Sequence, residues 1–173
     1  MKVRIDPFDY AETITKALRP GILLNTNGEK FNSMVIGWGH LGVLWGMQTF
    51  VVYVRQSRYT KPQLDKTKEF TISVPLEGRL SPEVVKVFGT LSGRDVNKAD
   101  YVTLEEPEVI HTPGVREYPL TLECEVLYQQ DQVLEEMPEE VIRRYYTDDE
   151  DLGDFHTMYI GKIVSAYIIK EDE

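Results

Sequence analysis

The fold of this chain is organised around residues 31–60, which read FNSMVIGWGHLGVLWGMQTFVVYVRQSRYT. Residues 31–38 place apolar side chains at every second position, and residues 48–54 form a β-branched and aromatic run, so both predict β-strands. Gly37, at the end of the first strand, and Gly39, Gly42 and Gly46, which follow it, predict a glycine-rich connection that allows close backbone approach. The second strand then leads directly into a basic, hydroxyl-rich corner, Arg55–Thr60.

This corner is predicted to bind a small anion. The sequence Thr60-Lys61-Pro62-Gln63 fits a capping box, so a helix is predicted from Thr60 to about Lys68. Two arginines and three hydroxyl side chains then lie beside free N–H groups at the positive end of a helix dipole, which is the chemistry of a phosphate site. The R-x-S-R pattern alone is more typical of a solvated turn, but together with the strand pair and the capped helix it favours phosphate.

Composition limits the function classes. The chain has 173 residues, 42% hydrophobic and 28% charged, which is typical of one soluble globular domain. Its formal charge of −10 argues against nucleic acid or an anionic membrane as the main partner. Neither a signal peptide nor an apolar run long enough to span a membrane is present, so a cytoplasmic location is expected.

The remaining elements are short and do not alternate regularly. Helices are predicted over residues 8–18, 81–89 and 138–146, and further strands over residues 1–6, 21–25, 69–74, 118–129 and 155–169. We interpret residues 1–173 as a single domain in which residues 131–154 form an acidic helical insertion, with Asp148–Asp151 as a solvated loop. An antiparallel barrel is favoured over a parallel doubly wound sheet, and no G-x-G-x-x-G motif opens a helix.

The sequence pattern around several single residues indicates their roles. Cys124 lies on the apolar face of its strand and is expected to be a buried hydrophobe rather than a reactive thiol. Gly161 is a candidate β-bulge in the last strand. By spacing alone, Met34, Trp38 and Trp45 are core or interface residues. The three histidines show no metal-ligand spacing, so no metal site is predicted.

A second cluster able to bind an anion occurs in the polar loop after the 81–89 helix, where Ser92, Arg94 and Lys98 lie close in sequence. By itself this cluster is typical of an ordinary surface loop. The ordered set of NSMVIGW at 32–38, VRQSRYT at 54–60, FTIS at 70–73, SGRD at 92–95 and HTMYIG at 156–161 resembles the flavin reductase-like, FMN-binding split-barrel family, especially flavoredoxin and its relatives.

The resemblance implies a mainly β fold, a six-stranded Greek-key split barrel with short peripheral helices, and a homodimer with FMN as cofactor. The residues that it implies for cofactor binding are Asn32, Ser33, Met34, Trp38, Arg55, Ser57, Arg58, Tyr59, Thr60, Ser92, Gly93, Arg94 and Lys98. No catalytic residue is assigned. His156, which the resemblance places near the flavin ring, is the one candidate, although Phe155 separates it from Asp154 where many relatives carry Gly-Asp-His.

Three functions remain open at this point. The first is an FMN-dependent oxidoreductase that takes a hydride or electrons from NAD(P)H or a redox protein and passes them to a small acceptor. The second is an FMN-bound electron carrier without nicotinamide activity, whose acidic surface docks a basic partner. The third is a non-redox split-barrel module for another phosphorylated ligand.

Overall fold

The computed structural model describes residues 1–146 and 153–170. Most of the strands in these residues form one eight-stranded sheet, in which every pair of neighbouring strands is antiparallel. The strands are β1 Lys2–Arg4, β2 Ile22–Asn27, β3 Phe31–Ile36, β4 Gly39–Leu44, β5 Met47–Arg55, β6 Glu69–Val74, β7 Leu104–Glu105, β8 Gly114–Val115, β9 Leu120–Asp131 and β10 His156–Ile169. Their order is β3-β2-β6-β9-β10-β5-β4, with β1 also on β10, and β7 and β8 form a separate pair.

Among the described residues, four short α-helices lie outside the sheet. They are α1 Ala11–Leu18, which follows a 3₁₀ turn at Pro7–Tyr10, α2 Thr60–Thr67, α3 Pro82–Thr90 and α4 Glu139–Tyr145. The predicted cap of α3 is confirmed, since Ser81 Oγ accepts from the N–H of Val84 at 3.2 Å. The mainly β class with short peripheral helices is therefore confirmed.

The sheet wraps around one apolar core. Leu24 and Ile36 come from one end of the strand order and Phe50 from the other, yet all three belong to one buried cluster with Leu122 of the central strand β9. Strands so far apart in the order can share a core only if the sheet curves back on itself. Cys124 is fully buried in this cluster, as predicted.

One strand of the eight-stranded sheet was not predicted, and neither was the separate pair β7 and β8. The glycine-rich connection of residues 39–44 is β4, which forms a hairpin with β5 through Trp45 and Gly46. Both turn residues have positive φ, 52° and 72°, as a two-residue type I′ hairpin turn requires. The prediction of an irregular connection was wrong, because the glycines were interpreted as breaks. With β4 the sheet has more strands than the six expected.

The pairing of β10 with its neighbours brings distant segments together. His156 opens β10 opposite Arg55, the last residue of β5, while Thr157 lies opposite Asp131 at the end of β9. Both ends of the acidic insertion therefore meet the corner that follows β5. The part of the insertion that is described contains a 3₁₀ turn and α4. Asp148–Asp151 lie outside the described residues.

Gly161 lies where the register between β9 and β10 shifts, so the predicted irregularity is confirmed at this position. Residues Ile160 and Gly161 pair with Tyr128 and Val126, which leaves Leu127 of β9 as the extra residue. A Cβ atom on Gly161 would lie 2.5 Å from the ring of Phe70, so only glycine fits here.

Candidate functional site

The corner after β5 is where the phosphate site was predicted. Helix α2 begins at Thr60 as expected, but the capping box does not form, and this part of the prediction was wrong. Thr60 Oγ1 instead accepts from Asn32 Nδ2 at 2.9 Å, and Gln63 Oε1 accepts from Thr26 Oγ1 at 2.7 Å. The two side chains fasten the corner to the β2–β3 hairpin, because tertiary partners compete with the local cap.

The loop after α3 faces this corner. Arg94 donates from Nη1 to the carbonyl of Ser57 at 3.2 Å, and its guanidinium group lies 5.2 Å from the centre of the Tyr59 ring. Between the two segments is a hollow of about 180 Å³, which we call the corner hollow. It is lined by Asn32, Met34, Val35, Ser57, Arg58, Tyr59, Thr60, Phe88, Gly89, Thr90, Leu91, Ser92, Gly93, Arg94 and Lys98.

Lys98 forms part of the lining of the corner hollow although its side chain is almost fully buried, at 3% exposure. Its Nζ donates to the carbonyl of Ser33 at 2.6 Å and to that of Phe88 at 3.4 Å. Burial, with a smaller contribution from the neighbouring Arg58 charge, lowers the pKa of Lys98 to about 8. The ammonium is therefore mostly charged at neutral pH and faces a second cation.

In this part of the described structure, two buried polar atoms lack partners, one on Asn32, which lines the corner hollow, and one on Ser33, which does not. Among the described residues, neither Asn32 Oδ1 nor Ser33 Oγ has a hydrogen-bond partner. Unpaired buried polar groups are costly and usually indicate a missing ion, water or ligand. Gly93 leaves the space open, since a Cβ there would lie 2.1 Å from Asn32 Oδ1. All three residues are among those that the family resemblance implies for cofactor binding, whereas the steric reason for the glycine becomes visible only in the structure.

A second hollow of about 280 Å³ adjoins the first, and both share Met34, Val35 and Arg58. We call it the aromatic hollow. Its other lining residues are Ile36, Gly37, Trp38, Tyr53, Arg55, Tyr145 and His156. The Trp38 ring contacts the edge of Tyr145 at 5.2 Å and lies 5.0 Å from the His156 ring.

Arg55 was predicted beside the phosphate, but its side chain lines the aromatic hollow instead. It donates from Nη2 to the carbonyl of Tyr145 at 2.9 Å and from Nη1 to that of Asp154 at 3.1 Å. Ser57 also contacts the insertion, since its N–H and hydroxyl donate to the Asp154 carboxylate at 2.7 and 2.6 Å. Arg55 and Ser57 of the R-x-S-R pattern thus bind the insertion.

His156 is buried between these groups. Its Nδ1 lies 2.7 Å from the Tyr146 hydroxyl, and that hydroxyl also donates to Gln132 at 2.9 Å. Burial lowers the pKa of His156 to about 4, and the Arg55 charge adds to this effect while Asp154 opposes it. The imidazole is neutral at pH 7, so it acts there as a hydrogen-bonding group and not as a charge.

The structure brings most predicted site residues to one of the two hollows. Ser33 lies underneath and presents its carbonyl to Lys98. Tyr53 and Tyr145 were missed. Tyr53 could have been found, because it lies on the same strand face as Arg55, whereas nothing in the sequence around Tyr145 indicates its position. Within the described residues, no group of acidic, histidine or cysteine side chains could hold a metal.

Comparison with known proteins defines the class. A model of the flavin reductase like domain matches residues 40–173, so the chain belongs to the flavin reductase like domain family, a flavin-binding family of flavin-related redox function. It is 29% identical to an uncharacterised protein of Pyrococcus abyssi, over 90% of this chain and 76% of that protein. It is 30% identical to an uncharacterised protein of Archaeoglobus fulgidus, over 82% of this chain and 68% of that protein.

Solved structures share the fold. Flavoredoxin from Methanosarcina acetivorans is 24% identical with a TM-score of 0.65 over 88% of this chain and 69% of that one. Flavoredoxin of Desulfovibrio vulgaris is 20% identical with a TM-score of 0.66 over 88% and 70%. These similarities confirm the split barrel of the flavin reductase-like family. Within residues 1–146 and 153–170, no helix is both long and apolar enough to cross a bilayer.

Proposed function

We propose that this protein is an FMN-dependent oxidoreductase of the flavin reductase type. One observation carries the proposal: a small cationic hollow and an aromatic hollow adjoin through Met34, Val35 and Arg58. A mononucleotide has the same two parts, a terminal phosphoryl group and a large conjugated ring. The joined hollows therefore fit one molecule that carries both.

The corner hollow has the chemistry of a phosphoryl site. Arg58, Arg94 and Lys98 supply three cations, and Ser92 and Tyr59 supply hydroxyl groups. The unpaired Asn32 Oδ1 is an acceptor, so it indicates a hydroxyl or N–H group of the ligand beside the phosphoryl group and not a phosphoryl oxygen. Gly93 leaves the room that such a ligand needs.

The aromatic hollow would hold the conjugated ring. The Met34 thioether and the Trp38 indole offer polarisable surfaces on which a flat ring can pack. When bound, FMN would supply hydride and electron transfer. The chain's own part is to orient the ring, to exclude water with Trp38 and Tyr145, and to present neutral His156 as a hydrogen-bonding group.

FMN is preferred to FAD because the corner hollow is small and its cations surround a single region. Proteins of the same fold differ in this respect. One structural neighbour is described as an FMN-binding protein from Thermus thermophilus, and another as an NADH:FAD oxidoreductase of Streptomyces globisporus in complex with NAD and FAD fragments. The fold alone therefore does not choose between the two flavins.

The test is the visible spectrum of the purified protein, followed by release and identification of the flavin. We expect FMN, about one per chain, and bleaching of its colour by NADH or NADPH. A colourless protein that gains thermal stability from another phosphate compound, but none from FMN, would replace the proposal with a non-redox binding module.

The second candidate is an FMN-bound electron carrier, which the formal charge of −10 favours because an acidic surface docks a basic redox partner. Retained FMN that neither nicotinamide bleaches, combined with salt-sensitive electron exchange with a basic redox protein, would establish this alternative.

We further propose a cytoplasmic homodimer. Support for the dimer comes from the β4–β5 hairpin at the end of the sheet, where Val43 and Trp45 are each 63% exposed. Adjacent exposed apolar side chains of this kind are typical of a protein–protein interface. Light scattering of the purified protein should give twice the mass of the chain, and Trp45→Ser should shift it toward the monomer. Cell fractionation tests the location.

A further inference from the structure

One arginine binds both of the described segments of the insertion between β9 and β10. Arg55 donates to the carbonyl of Tyr145, which precedes the acidic run, and to the carbonyl of Asp154, which follows it. A guanidinium group can make two such bonds because its donors diverge in a rigid plane. A lysine at this position has a single ammonium and cannot reproduce that geometry.

Further contacts fix the same segment. The Asp154 carboxylate accepts from both the N–H and the hydroxyl of Ser57. Tyr146, at 2% exposure, lies against the Arg55 guanidinium at 5.1 Å and places its hydroxyl beside His156. The bonds of Arg55 and of the Asp154 carboxylate are charge-assisted and therefore stronger than bonds between neutral groups, and the contact between Tyr146 and His156 is buried. The described part of the insertion is therefore attached to the site.

The attached segment presents an aromatic surface to the aromatic hollow. Tyr145 is 37% exposed and Trp38 is 43% exposed, and the two rings meet edge to face at an interplanar angle of 88°. Flat conjugated molecules pack well on such rings, and the nearby guanidinium groups of Arg55 and Arg58 attract electron-rich ones. A bulky, non-planar molecule would have to displace Tyr145.

We propose that the described residues 139–146 of the insertion form a fixed wall of the aromatic hollow, that Arg55 is the positioning residue that holds this wall, and that the wall restricts the electron acceptor to small planar conjugated molecules. This inference rests on the proposed function, since the acceptor must reach a reduced flavin in the same hollow. It assigns Arg55 to substrate selection and leaves phosphate binding to Arg58, Arg94 and Lys98.

The position of the wall is tested first, in protein without cofactor. Hydrogen–deuterium exchange across residues 139–146 should be at least about tenfold faster in Arg55→Lys than in the parent, while exchange in β9 is unchanged. Arg116→Lys is the matched control, because Arg116 binds Glu105 far from the insertion in sequence and contact. Equal exchange in all three proteins would overturn the positioning role.

Acceptor selection is tested with the FMN-loaded protein after reduction by dithionite and removal of the excess. The probe p-benzoquinone takes up two electrons and two protons as the flavin is reoxidised, and octahedral ferricyanide takes up one electron per ion. In Arg55→Lys and in Tyr145→Ala we expect the KM for p-benzoquinone to rise about tenfold, and reoxidation by ferricyanide to become faster.

In both variants the dissociation constant of FMN should rise by less than the KM for p-benzoquinone does, because Arg58, Arg94 and Lys98 still bind the phosphoryl group. A large loss of FMN affinity in Arg55→Lys, with unchanged preference between the two acceptors, would make Arg55 a cofactor ligand and overturn the inference. A wild-type protein that binds no flavin would overturn both the proposed function and the acceptor claim, whereas the exchange experiment decides the position of the wall on its own.

Discussion

The corner hollow and the aromatic hollow differ in how their residues are distributed along the chain. The corner hollow draws most of its polar groups from two short segments, residues 57–60 and 92–98. The aromatic hollow combines residues from β3, β5, β10 and the insertion. A site made of contiguous motifs can be recognised in a sequence. A site that strand pairing and an insertion bring together can be recognised only once the three-dimensional structure is known. The predictions below test whether the two hollows also act separately.

The largest effect is expected for Arg58→Ala, because Arg58 lines both hollows. Loss of a charge-assisted bond to phosphate should weaken FMN binding by about 2–3 kcal/mol, or about 30- to 150-fold. The affinity for riboflavin, which lacks the phosphoryl group, should fall by less than about fivefold. Calorimetric titration with both ligands measures the difference, and equal losses would show that Arg58 does not distinguish the two hollows.

Gly93→Ala should be next. The added methyl group would lie 2.1 Å from Asn32 Oδ1 and 2.7 Å from the Tyr59 ring, so the corner hollow must deform. We expect about tenfold weaker FMN binding and a melting temperature lower by about 2–6 °C. The control is Gly42→Ala, since a Cβ at Gly42 would meet nothing within 4 Å. Unchanged FMN binding in Gly93→Ala would contradict the assigned position of the phosphoryl group.

The pH dependence of binding should be smaller and confined to the corner hollow. With a pKa of about 8 in the free protein, Lys98 loses its charge as pH rises through 8, so FMN affinity should fall by about tenfold between pH 7.5 and 9.5. Lys98→Met should bind more weakly at pH 7.5 and show a flat profile. A falling profile that persists in Lys98→Met would assign the titration to another group.

The smallest effect is expected for Tyr146→Phe, which removes the hydroxyl that donates to Gln132 beside His156. Loss of one buried hydrogen bond should lower the free energy of unfolding by about 1 kcal/mol, measured by urea denaturation. FMN affinity should remain within about twofold, because the change lies outside the corner hollow. A strong loss of FMN affinity would mean that the two hollows are tightly coupled.

Local patterns were sufficient to predict α2, α3, β6, β9 and β10 and the burial of Cys124. They failed where a tertiary contact decided the outcome. Gly39 suggested a break, yet its lack of a side chain is what lets β4 approach β5, since a Cβ there would lie 2.9 Å from the carbonyl of Val51. A tertiary contact also explains why the capping box does not form: Thr60 and Gln63 bind the β2–β3 hairpin instead.

Glu123 illustrates a limit of alternation. It lies on the strand face opposite Cys124, yet it is fully buried. Its carboxylate accepts from the N–H groups of Glu108, Val109 and Ile110 at 2.6, 2.8 and 3.2 Å. Whether a loop will cover the outer face of a strand cannot be inferred from the strand itself. The position of Tyr145 was hidden in the same way, by a segment without a distinctive pattern.

The alignment of β5 with β10 has an evolutionary implication. Seven consecutive pairs run without a shift from His156–Arg55 to Lys162–Thr49, whereas both irregularities of β10 occur against β9. Deleting one residue of β10 before Gly161 would turn His156 to the opposite side of the sheet and remove it from Trp38. Length changes in this strand should therefore be eliminated by selection in descendants of this gene.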